Sequence, residues 1–179
     1  MAITINGSGT VSGITAGLTA AAMPAGSVLQ VLQSTRTDLI STTSATYADV
    51  LTQAITPSSA SNKILIFYQG MECCDAGDGN SYSSYKLLRG STSIYNGTAS
   101  NSAIGVSSGR YGRQSSYQSD PVQIMYLDSP STTSATTYKI QYNSVRGSSW
   151  RVSVGGTYAD DGSAYARVPT NLILMEVAG

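Results

Sequence analysis

Residues 55–68 read ITPSSASNKILIFY, and the architecture follows from them. Ile55 ends a segment of strand character. Residues 56–62 form a turn cluster. Pro57 fixes its own φ and biases Thr56 towards extended backbone, while Ser58, Ser59, Ser61 and Asn62 favour local side-chain to backbone hydrogen bonds over a ladder. Residues 63–68 then make the most apolar and most β-prone run in the chain. Ile64, Leu65, Ile66 and Phe67 are continuous, which predicts a strand covered on both faces and central to a sheet. The flanking segments should pair with it or pack over it.

The segments on either side have the same character. Residues 28–36 are dense in apolar side chains, and residues 47–55 alternate Val50, Thr52 and Ala54 against Leu51, Gln53 and Ile55. Further on, 82–89 reads as a strand that turns at Gly90-Ser91 and returns through 92–95. Strands follow at 122–127, 137–142, near 150–154, and at 171–177, where Leu172, Leu174 and Glu176 oppose Ile173, Met175 and Val177. The central strand should end near Met71, leaving 72–80 as a loop. Residues 37–45 and 98–119 carry weak patterns. The segment STTSAT occurs at 41–46 and again at 131–136, each copy shortly before a strand. Eight to ten short strands between Gly, Ser and Pro turns, with no convincing helix, predict an all-β fold. The expected form is an antiparallel β-sandwich, jelly-roll in type, over residues 27–179.

Residues 1–26 differ from the rest. They are mostly Gly, Ser, Thr and Ala, with Ile3, Ile5, Val11, Ile14, Leu18 and Met23 spaced along them. That is too little apolar surface to order the segment alone. Spaced apolar residues suit an assembly arm that orders against another subunit. The competing reading is a flexible leader with a short helical turn at 18–23.

Ten basic and ten acidic residues cancel, and only 11% of the chain is charged, against a usual value of roughly a quarter. Such a skin offers no electrostatic attraction for nucleic acid or an anionic membrane, so neither is an expected partner. No stretch approaches the roughly 20 apolar residues of a membrane span. The first residues lack a basic region followed by an apolar core, so no secretory signal is expected. Cys73 and Cys74 are adjacent and read as free thiols at a strand end, which suits synthesis in a reducing cytoplasm.

There is no His, which removes the usual general base and the commonest zinc ligand. The glycines at 105–112 do not lead from a strand into a helix, so a dinucleotide loop lacks its context. A glycosidase needs two carboxylates across a cleft, and the ten present mostly stand singly, with Asp120 and Asp128 flanking one strand. Residues 75–80, DAGDGN, depart from calcium-loop spacing and read as a polar turn, as do Asp160 and Asp161. No enzyme activity, metal or cofactor is expected. Residues 110–118, RYGRQSSYQ, mix rigid aromatics with adaptable polar groups, which suits recognition. Arg110, Tyr111, Arg113 and Tyr117 are the candidate contacts for a receptor or a neighbouring subunit.

Several segments resemble structural proteins of tailed bacteriophages, especially those of marine and aquatic hosts. They are MAITINGSGTVSGI at 1–14, VLQVLQ at 28–33, ITPSSASNKILI at 55–66, LDSPSTTSATTYKIQ at 127–141 and NLILMEV at 171–177. The resemblance implies a β-sandwich, often a jelly roll, that is trimeric and displayed on the virion. It implies no catalytic residues. Tail-fibre relatives carry long repetitive shafts, and only the leader precedes the domain here. The expectation is therefore a compact homotrimeric knob that decorates or cements the capsid, touching the major capsid protein. The alternative is a short tail-fibre or tail-tip adhesin that binds a host surface glycan.

Overall fold

A computed structural model of the chain describes residues 22–74, 81–110, 119–147, 150–157 and 166–179, together with the backbone of 4–5, 11–12 and 111. The strands are, in order, β1 (Thr4–Ile5), β2 (Val11–Ser12), β3 (Val28–Arg36), β4 (Ile40–Thr42), β5 (Ala48–Ile55), β6 (Lys63–Cys74) and β7 (Tyr82–Arg89). Then come β8 (Thr92–Ser93), β9 (Ser108–Tyr111), β10 (Ser119–Asp128), β11 (Thr136–Ser144), β12 (Val152–Val154) and β13 (Thr170–Val177). No α-helix occurs among the described residues. The chain is an all-β protein of antiparallel sheets packed as a sandwich.

The strand that opens at Lys63 is central, as its sequence predicts. One edge of β6 pairs with β10 along nearly its whole length. The other edge is shared end to end: β13 takes residues 63–69 and β12 takes 72–74. Beyond these lie β3 and β4. The second sheet runs β5, β11, β7, and the far edge of β7 carries β8 and β9. The long-range pairs are nested: β3 with β13, β5 with β11, β6 with β10, β7 with β9. Among the described residues β1 and β2 pair only with each other.

Between the sheets lie Ile64, Ile66, Tyr68, Val122, Ile124, Leu172 and Leu174 from one side, and Leu51, Ile55, Tyr85, Leu87, Tyr138, Ile140 and Tyr142 from the other. Tyrosine does the filling that Phe does in most cores. The rings of Tyr68 and Tyr142 flank Tyr85 at centroid distances of 6.4 and 6.2 Å. Burial, opposed only by the nearby Arg36 charge, pushes the Tyr142 hydroxyl up to about 12.

Carboxylates close the core at both ends. Asp128, Ile64 and Glu176 form one inward row across β10, β6 and β13. Asp128 accepts two hydrogen bonds from Arg89, at 3.1 and 2.9 Å, and one from the Tyr138 hydroxyl at 2.6 Å. Glu176 is bound by the turn cluster. Its Oε1 accepts from the Ser58 amide (2.6 Å), the Ser58 hydroxyl (2.8 Å) and the Asn62 side-chain amide (2.6 Å). Its Oε2 accepts from Gln30 at 2.6 Å. At the opposite end, the buried Glu72 accepts from Ser83 at 2.7 Å.

Four local expectations are corrected. Residues 72–74 are strand and not loop, because Glu72 points inward to a hydroxyl partner and β12 pairs alongside. Residues 40–42 lie in a stretch that reads as polar loop, yet they pair with β12. Residues 108–111 are recruited by β7 in the same way. The alternation in β5 breaks at Val50, which is left over where Leu51 pairs with Ile140 and Asp49 with Gln141. This bulge buries Val50 and Leu51 together and aims the Val50 carbonyl at Arg36 Nε, 3.0 Å away. The two STTSAT copies share a local bond, since Thr42 and Thr132 each accept the amide two residues on, at 3.1 and 3.0 Å.

Candidate assembly surface

The expectation that β6 is covered on both faces holds for one face only. Ile64, Ile66 and Tyr68 point into the sandwich and are fully buried, whereas Leu65 and Phe67 point outward and are only half-buried. Their row-mates on the neighbouring strands follow from the register. Leu127, Leu65, Met175 and Val31 form one outward row across β10, β6, β13 and β3. Met125, Phe67, Ile173 and Gln33 form the next. A third, at the end of the sheet, holds Lys63, Val177 and Val28. Met125 is 65% exposed, Val31 54%, Val28 52% and Leu127 46%.

This face is apolar for a sequence reason. In β6, β10 and β13 the outward positions carry Leu, Phe, Met, Ile and Val, where a sheet facing water would alternate to polar residues. Polar groups close it at the other end. Gln69, Gln123 and Asn171 make the next row. There Asn171 Oδ1 accepts from Gln33 at 2.9 Å and from Thr35 at 2.8 Å. Lys63 is the single charged residue in these four rows. The open apolar area is on the order of 500 Å², at the upper end for a solitary soluble domain.

The residues expected to contact a receptor are distributed differently. Arg110 sits on β9, and its guanidinium is drawn to β10: Nη1 lies 3.3 Å from Asp120, and Nη2 donates to the Pro121 carbonyl. Tyr111 lies on the same strand, opposite Tyr82 in register. Arg113 and Tyr117 fall outside the described residues. Beside Arg110 is a groove of about 480 Å³ lined by Tyr82, Ile104, Val106 and Val145. Arg146 lies over the Tyr82 ring, 4.6 Å from its centroid, and donates to its hydroxyl. Of the arm, Ile5 and Val11 pair in the β1–β2 hairpin, and Met23 lines a small cavity with Ser58, Asn62 and Gly179. Ile3, Ile14 and Leu18 fall outside the described residues, as do the turns at 75–80 and 160–161.

Cys73 and Cys74 form no disulfide and are buried at the end of β6. Asp120 and Asp128 stand near opposite ends of β10, roughly 27 Å apart at strand rise, too far to act on one glycosidic bond. Each also has an arginine partner. Among the described residues no group of three or more His, Cys, Asp or Glu could hold a metal ion. Sequence reasoning placed the apolar side chains of the outer face correctly on their strands and expected both faces of the strand at 63–68 to be covered. What it missed was which face the second sheet covers. Compared with known proteins, the chain matches no family model and no curated protein.

Proposed function

We propose that this chain is a structural subunit of a virion, a compact knob that works by being packed among other copies and held to the capsid. The observation that carries this reading is the outward apolar face of β10, β6, β13 and β3, with Lys63 as its single charge. A chain with zero net charge has little long-range repulsion between copies to prevent association. The likeness of five segments to tailed-phage structural proteins supplies the virion context, and three copies about one axis is the number that likeness implies. The nested strand pairs support reading the sandwich as a jelly roll, a long hairpin rolled so that its two halves share both sheets.

In this reading residues 1–26 are the attachment arm and the major capsid protein its partner. Deleting residues 1–26 should leave the unfolding transition of the domain largely in place and abolish binding to virions lacking the protein. Normal incorporation of the truncated chain would sink the arm assignment. Copy number per particle, by quantitative mass spectrometry, then separates head from tail: hundreds mean the capsid surface.

The groove beside Arg110 favours a second reading, a tail-tip adhesin for a host surface glycan. Tyr82 offers an aromatic ring and Arg110 a polar rim there. Joint Ala substitution of Tyr111, Arg113 and Tyr117 should then reduce cell adsorption at least tenfold. Unchanged adsorption would remove the adhesin from consideration.

A further inference from the structure

We infer that copies of this chain join edge to edge, with β10 of one copy pairing antiparallel to β3 of the next. This rests on the assembly reading above and names the contact and its register.

Hydrogen-bond direction decides which backbone groups are open. Along an antiparallel strand, the N–H and C=O of successive residues point to alternate sides. Gly155, just past β12, donates to the Met71 carbonyl at 2.9 Å, so the odd-numbered residues of β6 face away from β10. Their partners in β10 face away from β6 in turn, and the Arg110 guanidinium donating to the Pro121 carbonyl agrees. Gln123, Met125 and Leu127 therefore hold their N–H and C=O at the free edge. The same alternation, carried through β13, leaves Val31, Gln33 and Thr35 open on β3. Among the described residues β10 pairs only with β6, and β3 only with β13. Natural sheets ordinarily blunt such edges with charge, proline or a bulge. Residues 122–127 and 31–35 contain none of these.

The two edges fit each other. They bound one four-strand stretch of sheet, and three antiparallel steps from β10 through β6 and β13 make β3 run opposite to β10. A rotation about an axis along the strands reverses neither strands nor faces. It brings β3 of one copy beside β10 of the next as an antiparallel pair. Leu127 then meets the partner's Val31, Met125 the partner's Gln33, and Gln123 the partner's Thr35. In this register all six residues exchange both backbone bonds, their side chains share one face, and the apolar rows run on from copy to copy. Pairing β10 with a second β10 would leave both β3 edges unmade. The contact is head to tail, so it closes as a ring, and three is the number the assembly reading carries.

Proline on the free edges tests this on the full chain. Met125→Pro and Gln33→Pro each remove an N–H that points away from the neighbouring strand, so the fold is kept, which urea unfolding checks. Light scattering across a concentration series should give three copies of the parent and one of either variant. An equimolar mixture of the two should restore a mixed pair, because each chain keeps the edge the other lacks. A second measurement needs no proline. Leu127→Cys and Val31→Cys chains, mixed and treated with a short bismaleimide, should link to each other and not to themselves, Cys73 and Cys74 being buried. A parent chain that stays single at every concentration overturns both this inference and the assembly reading. Two copies, folded proline variants that associate like the parent, or a mixture without the Leu127→Cys to Val31→Cys link overturn the edge pairing and leave the assembly reading standing.

Discussion

Replacing Glu176 by Ala should cost the domain about 4 kcal/mol, the largest single loss we expect from one side chain. The carboxylate is 1% exposed and receives four hydrogen bonds. Its removal leaves the buried Asn62 side chain and the part-buried Ser58 amide without their acceptor, and each unmade bond to a buried group costs about 1–3 kcal/mol. The loss also reaches across the fold, because Asn62 Oδ1 holds the Gly179 amide and Gln30 Nε2 also donates to Thr56. Urea unfolding at pH 7 reads the effect.

The same site makes stability depend on pH. Burial on its own would raise the Glu176 pKa, but the hydrogen bonds from Asn62, Gln30 and Ser58 outweigh it and hold the carboxyl below its ordinary value. The unfolded chain therefore takes up this proton at a higher pH than the folded chain does. The contribution is complete above the unfolded value, roughly 4.3, and is lost as pH falls through the lower folded value. Glu176→Gln keeps the shape but cannot titrate. Its stability should fall less than that of the parent chain between pH 5 and pH 3. Equal losses in the two proteins would show that Glu176 does not carry this dependence.

Much of the sandwich is legible in the sequence because most of its strands carry their own signal. Val28–Arg36 is found at the residues its pattern predicts, and β13 begins one residue early. The alternation in 171–177 even puts Glu176 on the core face with Leu172 and Leu174. It gives no hint of why an acid is tolerated there. Its partners lie in a turn more than a hundred residues upstream, and no local pattern reports a contact that only the closed sheet creates. β4 and β9 were unreadable for a related reason. Ser41, Ser108 and Gly109 have little β preference and the runs are only three and four residues long, and they become strand because β12 and β7 offer them free edges. The outer apolar face is the reverse case. Its residues were conspicuous, but continuous apolar runs say that both faces need cover without saying whether the cover comes from the same chain.

Replacing Gly70 by Ala should destabilise the domain by about 2 kcal/mol, and by Val about 3 or more. Gly70 sits inward on β6 opposite Val122, where alternation calls for an apolar side chain. The space is already taken. A Cβ there would lie 2.7 Å from the Tyr68 hydroxyl oxygen and 3.1 Å from Thr170 Cγ2. The Tyr68 ring leans along its own strand over the glycine, and Tyr85 blocks its retreat. The hydroxyl it presses against Gly70 is buried with no hydrogen-bond partner among the described residues. Burial, with Glu72 and Tyr142 nearby, raises its pKa, so the group stays neutral. Tyr68→Phe alone should therefore be neutral or slightly stabilising, since it deletes an unsatisfied polar atom. Combined with Gly70→Ala it should recover at least half of the Ala penalty, because the atom in closest conflict is gone. The double-mutant cycle by urea unfolding measures that coupling directly. Additive effects would mean that the clash lies with Thr170 and the backbone, and that the tyrosine-filled core is free to shift.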